Sequence, residues 1–172
     1  MTKRISTLFV LCWAALLVPV EATTLRRATL QDLISSASHI FVGQVVSTES
    51  RWVGKKILTS NSIAVSRVVK GAPGQSFTLT TLGGRVGAIA QTVPSSPRLQ
   101  AGQEVLVFAG RAGGHNLIVY MHQGLFDVVT EGGRKYVQTH AEALGLPSDS
   151  PDGRISLDSF ITELAKDLEV IP

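Results

Sequence analysis

The chain has 172 residues, of which 44% are hydrophobic, with 16 Lys and Arg against 13 Asp and Glu and a single cysteine. One cysteine excludes an internal disulfide framework and a cysteine-based zinc site. The small positive excess excludes the strongly basic footprint of an electrostatic nucleic-acid binder.

The first residues have the three parts of a secretory signal. Lys3 and Arg4 form a positive start, Ile5 to Val18 an apolar run, and Val20-Glu21-Ala22 offers small residues where a signal peptidase reads. The expected signal peptide is therefore 1–22, cleaved before Thr23. Pro19 and Glu21 interrupt the run before it reaches the roughly 20 apolar residues of a spanning helix. Leu11 precedes Cys12 where lipidation demands a small residue, so no stable membrane anchor is expected after cleavage. The mature chain is then cysteine-free and near-neutral with interspersed charge, and is secreted or periplasmic. It is long enough for one domain held by its core alone.

In chain order, Thr29 is a candidate N-cap for a short helix whose Leu30, Leu33 and Ile34 share a face and which ends near Ala37. His39 to Ser47 reads as a strand buried on both faces. Ile57 to Lys70 is a longer strand in which the apolar phase slips between Val65 and Val68, as a β-bulge would produce. Strands follow at Phe77 to Thr81, Gln103 to Ala109 and Asn116 to Met121. Leu125 to Thr130 and Lys135 to Gln138 make a hairpin around Glu131-Gly132-Gly133-Arg134. Residues 139–155 read as a linker. Residues 156–168 read as an amphipathic helix, with Ser156 as N-cap and Leu157, Phe160, Ile161, Leu164 and Leu168 as the apolar stripe packed on the domain. The expected fold is mostly β: a small antiparallel OB-like Greek-key barrel over 23–138, with a short N-terminal helix and a C-terminal helix. A β-sandwich is the alternative.

Few residues carry chemistry. His39, His115, His122 and His140 lack the spacing of a helical metal site, and no Gly-x-Ser-x-Gly elbow is present. Neither catalytic residues, nor a metal, nor a cofactor is expected, and the chain does not read as an enzyme. Gly83-Gly84-Arg85-Val86-Gly87 lacks the Gly-Lys-Ser/Thr ending and following helix of a phosphate loop. The loop from Gly83 to Pro97 is longer than joining two strands requires, which marks it as a recognition surface. Arg51-Trp52, followed by Lys55-Lys56, lies in a hairpin-like connection with the one exposed-looking aromatic. The candidate surface is therefore Gly83, Gly84, Arg85, Gly87, Gln91, Arg51 and Trp52.

The segments SASHIFVGQVVS, VSRVVKG, LGGRVGAIAQTVPSSPRLQAGQEVLVFAG and MHQGLFDVV resemble a group of uncharacterised bacterial exported proteins, over most of residues 33 to 129. That group is similar in outline to the netrin/TIMP-like version of the OB barrel, and some members are encoded beside secreted matrixin-type metalloproteases. The resemblance implies an exported interaction module, an inhibitor or accessory partner of such a protease. The motifs specify turns and packing rather than chemistry. TIMPs place an N-terminal cysteine on the catalytic zinc, whereas the expected mature chain begins Thr23-Thr24, so that chelation does not carry over. The alternative reading is a cell-envelope barrel that binds a small molecule or glycan.

Overall fold

A computed structural model describes residues 27–139 and 141–170. The expected signal peptide and His140 lie outside the described residues.

The first helix, α1 (Leu30–Ser36), starts where the sequence predicts. Thr29 Oγ1 accepts from Asp32 N at 3.1 Å while Asp32 Oδ2 accepts from Thr29 N at 2.9 Å. A reciprocal cap of this kind is worth about 1 kcal/mol, and it matters in a helix of two turns. Leu30, Leu33 and Ile34 are buried.

The remaining elements are β1 (His39–Val53), β2 (Lys56–Lys70), β3 (Ser76–Leu82), β4 (Gly84–Val86), β5 (Ile89–Gln91), β6 (Glu104–Ala112), β7 (His115–Ile118), β8 (Leu125–Glu131), β9 (Arg134–Val137), β10 (Ile155–Ser156) and α2 (Leu157–Val170). The main sheet is antiparallel throughout, in the order β10-β9-β8-β6-β1-β2-β3. One edge of β6 carries β8 along Val105–Val107 and β7 along Ala109–Ala112. The protein is therefore mostly β, with one helix near each end of the described chain.

The two central strands explain the uninterrupted apolar runs of the sequence. Ile40, Val42, Leu106 and Phe108 face one core, shared with α1, α2, β8 and β9. Phe41, Val45, Val105 and Val107 face the other, shared with Ile63, Phe77, Leu79 and Leu99. A strand buried on both faces has no polar alternation to display. In the helix-covered core, Phe126 bridges Phe108 and Phe160, with ring centroids 5.9 and 5.8 Å apart. Burying a side chain such as Phe160 or Leu164 contributes about 1.5–3 kcal/mol each, and this holds α2 on the sheet.

The phase slip in β2 is real. The register skips Ser66 and Val69 on β2, and Val46 on β1. Each extra residue increases the local twist, so the sheet curls and brings β3 beside β7. It does not close into a barrel, and the mostly β antiparallel fold with its two helices is the expected class, with the sandwich-like alternative still allowed. No backbone ladder joins β3 to β7; the link is a side chain, Asn116 Nδ2 donating to Thr78 O at 3.1 Å. The cause lies in β7. It ends at Ile118 rather than Met121, because Tyr120 and Met121 take left-handed φ values of 49° and 59° and turn into a 3-10 helix, Met121–Gly124. A four-residue strand that turns away cannot complete a ladder.

Residues 139–155 are not a loose linker. They contain a 3-10 turn, Ala141–Leu144, and end in β10, which pairs with β9. Asp149 fixes their geometry: its carboxylate accepts from Ser156 N at 2.7 Å, Ser156 Oγ at 2.5 Å and Ser159 Oγ at 2.7 Å. Ser156 Oγ in turn accepts from Ser159 N at 3.4 Å, the capping role read from the sequence. The helix that follows runs to Val170 rather than ending at residue 168.

Candidate functional site: two crossing hairpins

The candidate residues, more than thirty positions apart in sequence, meet on two hairpins that cross. The first is the distal part of β1 and β2. Val45 still exchanges backbone hydrogen bonds with Gln103 and Gly102, at 2.9 and 2.8 Å. Beyond Val45, β2 is the only strand that pairs with β1, and the pairing continues to Val53 and Lys56. The strand therefore extends six residues past the Ser47 expected from the sequence. The result is an arm of β1 and β2, backed by β3 on the other edge of β2 as far as Leu58, with a tight turn at Gly54-Lys55, where Gly54 has φ +59° and open space around it.

The second hairpin is β4–β5, inside a segment that reads as an irregular glycine-rich loop. It lies across the arm and is pinned there by four polar contacts, to which a Ser50–Thr59 hydrogen bond within the arm is added. Gly83 N donates to Ile57 O at 2.8 Å, and Ile57 N donates to Gln91 Oε1 at 2.6 Å. Thr59 Oγ1 donates to Gly83 O at 2.7 Å and shares a hydrogen bond with Ser50 Oγ at 2.8 Å. Arg85 N donates to Ser50 Oγ at 3.4 Å. Beneath this joint Ile57 is completely buried, although it lies one residue from the start of β2. Gly84 must be glycine here: its φ is +139°, and a Cβ would lie 2.3 Å from both Ser50 Oγ and Thr59 Oγ1.

The seven candidates thus divide into two groups. Gly83, Gly84 and Gln91 form the joint, and their chemistry is structural. Arg51, Trp52, Arg85 and Gly87 are exposed on the hairpins that the joint holds. Trp52 is 45% exposed, and it has exposed apolar company in Val53 at the arm tip and Ile89 on β5. Lys55 and Lys56 flank the arm turn. None of Arg51, Lys55, Lys56 and Arg85 has a carboxylate partner among the described residues.

Beside the joint is a cleft of about 140 Å³, walled by the hydroxyls of Thr48, Ser50, Thr59 and Thr81, with Arg98 at its edge. Next to it, Asn61 is fully buried. Its Nδ2 donates to Thr59 O, Leu79 O and Thr81 Oγ1, while its Oδ1 has no partner.

Nothing in the sequence singled out Tyr120 and Met121. They are exposed, bulky and left-handed in succession, and Met121 borders a small groove with Leu82, Pro97 and Ile118 along the unclosed seam. Left-handed backbone at a bulky residue costs about 1–2 kcal/mol, and no residue-type pattern announces it.

The titratable groups with shifted pKa values lie elsewhere, where 139–155 meets the β8–β9 hairpin. Arg154 donates to Glu131 at 2.7 and 3.1 Å and to Asp152, and stacks over Tyr136 with its guanidinium carbon 5.0 Å from the ring centroid. Arg154 holds the Glu131 carboxyl below its usual value, chiefly through their hydrogen bonds, and Ser150 does the same for Asp152. Burial opposes ionisation of Asp149, but the Ser156 and Ser159 hydroxyls, the Ser156 N–H and Arg134 outweigh it and lower its pKa. These contacts tie chain segments together. Among the described residues no three His, Cys, Asp or Glu side chains form a group that could hold a metal ion.

Comparison with family models, curated proteins and solved structures finds no match.

Proposed function

We propose that the chain is an exported, non-enzymatic interaction module whose contact surface is the pair of crossing hairpins. The observation that carries this reading is the joint itself. Four polar contacts and a special glycine brace the two hairpins on which Arg51, Trp52 and Arg85 are exposed. Bracing lowers the ordering cost that a free loop incurs on binding, and an exposed tryptophan with neighbouring arginines has the composition of an interface anchor. Export rests on residues 1–22. The resemblance supplies the partner class, a secreted matrixin-like metalloprotease that this chain inhibits or assists.

The test is capture from the organism's own secretions, using residues 23–172 and its Trp52→Ala form side by side. A protease retained by the parent and lost from the variant supports the reading. Slower cleavage of a fluorogenic substrate on adding the parent chain makes it an inhibitor, and unchanged kinetics make it an accessory. Equal capture by both forms sinks the crossing hairpins as the surface that meets the protease.

A second reading is favoured by the hydroxyl-lined cleft. Thr48, Ser50, Thr59, Thr81 and Arg98 offer donors and acceptors to a sugar or small carboxylate. Ser50 and Thr59 already serve the joint and Thr81 accepts from Asn61, so the cleft comes second. A calorimetric titration with simple sugars and carboxylates decides it.

A further inference from the structure

The near-neutral total charge conceals a division. Residues 44–103 contain seven Lys and Arg against one acid, Glu49, whereas residues 104–172 contain five against ten acids. The fold turns this division along the chain into a division in space. On β2, Arg67 is paired with Asp158 of α2 at 2.6 Å, while Lys56 lies eleven residues away at the arm turn. That is about 35 Å of strand. The helix end of the molecule is acidic, with Glu131, Asp149, Asp152 and Asp158 paired to arginines, whereas the cations of the arm end, Arg51, Lys55, Lys56 and Arg85, have no carboxylate partner among the described residues.

We propose that the crossing hairpins dock on an anionic lipid surface, through Arg51, Lys55, Lys56 and Arg85, with Trp52, Val53 and Ile89 entering the headgroup layer. This rests on the crossing hairpins being the contact surface and names what they meet. Two features select a lipid surface over a merely acidic partner. The cations accompany exposed apolar side chains, Trp52, Val53 and Ile89, on the same two hairpins. The largest of those side chains is tryptophan, the residue that partitions to the headgroup level. The acidic helix end lies about 35 Å along β2 from the arm turn, so electrostatics orients the molecule as well as attracting it. The docking is reversible and peripheral, since no helix among the described residues is long and apolar enough to cross a membrane.

The test uses residues 23–172, which contain every described strand and helix and retain Trp52 as the one tryptophan. The probes are vesicles of equal parts phosphatidylglycerol and phosphatidylcholine, vesicles of phosphatidylcholine alone, and dextran sulfate. The expected result is co-sedimentation with the anionic vesicles only, a blue shift of Trp52 emission, and release by salt. Each basic side chain near such a surface is worth about five-fold in partitioning, so Lys55→Gln/Lys56→Gln should weaken binding about 25-fold. Both residues are exposed, and an unchanged thermal unfolding curve shows that the variant remains folded.

Failure to bind anionic vesicles, or binding that Lys55→Gln/Lys56→Gln leaves intact, overturns the proposal. Binding to dextran sulfate with no vesicle-induced shift of Trp52 also overturns it and assigns the surface to a soluble polyanion. In either case, protease capture that still depends on Trp52 keeps the crossing hairpins as the contact surface. Capture indifferent to Trp52 removes the protease as the partner of these hairpins, while vesicle binding that needs Lys55 and Lys56 keeps the hairpins as the contact surface.

Discussion

Replacing Gly84 by alanine should spring the two hairpins apart while leaving the cores intact. The new Cβ would sit 2.3 Å from the oxygens of Ser50 and Thr59, and the backbone would have to keep φ at +139°. Holding a non-glycine residue in such a conformation costs about 1–3 kcal/mol. Displacing Thr59 also breaks its 2.7 Å hydrogen bond to Gly83 O and its 2.8 Å contact with Ser50, at about 1 kcal/mol each. The expected local destabilisation is therefore about 3 kcal/mol, or a rise of about a hundred-fold in the open population of the joint. Hydrogen exchange reads this directly, because the amides of Gly83 and Ile57 both donate across the joint. Their exchange should accelerate by about that factor, while amides of β6 and α1 stay protected. Gly87→Ala is the control: φ is +59° there and nothing lies within 4 Å of the new carbon. It should cost about 1 kcal/mol and leave the joint closed. If the two variants exchange alike, or if Gly84→Ala deprotects the whole sheet equally, the hairpins are not held as described.

Val45→Asp and Leu106→Asp should each abolish cooperative unfolding in denaturant, since each places an unpaired charge in one of the two cores, whereas Val46→Asp, at the exposed bulge, should stay within about 0.5 kcal/mol of the parent. Asp149→Ala removes the acceptor of three hydrogen bonds and should cost about 2 kcal/mol by denaturant titration, with the earliest loss of protection in β10 and the first turn of α2. Stability should also fall on acidification. The pKa values of Glu131, Asp149 and Asp152 are all lowered in the fold, so their contribution is complete above the ordinary carboxylate range and is lost as pH drops through the folded values. Unfolding midpoints measured from pH 7 downward should decline only below about pH 5, and less steeply in Asp149→Ala.

The parts legible in the sequence were those in which one physical rule acted alone. Thr29 and Asp32 announce a helix start because a cap needs only its own four residues. The slip between Val65 and Val68 announced a bulge because side-chain period is fixed at two in a strand. Other elements depended on distant partners. The distal half of β1 reads as polar linker because Ser47 to Arg51 face solvent or the joint, and only pairing with β2 makes them strand. The β4–β5 hairpin was hidden because Gly83, Gly84 and Gly87 also mark loops, and the feature that orders them is Ser50 and Thr59 on another hairpin. β7 was read too long because Tyr120 is a good strand former forced, with Met121, into a turn. The same turn keeps the sheet from closing.

The charge division shows how a correct total can mislead about a surface. A net charge near zero predicts weak long-range attraction only if the two signs are mixed at the scale of the Debye length, about 10 Å at moderate salt. Here the long strand β2 spans several such lengths between Arg67, neutralised by Asp158, and the unpaired cations at the arm turn. A facing anionic surface would therefore sense the arm and be screened from the acidic helix end, whatever the whole-chain sum. The double burial of β1 and β6 has the same consequence by another route. With both faces of the central strands occupied by core, the surface left to meet a partner is where β1 loses its β6 neighbour, beyond Val45, and at the end of that arm the chain places Trp52 and cations that have no carboxylate partner among the described residues.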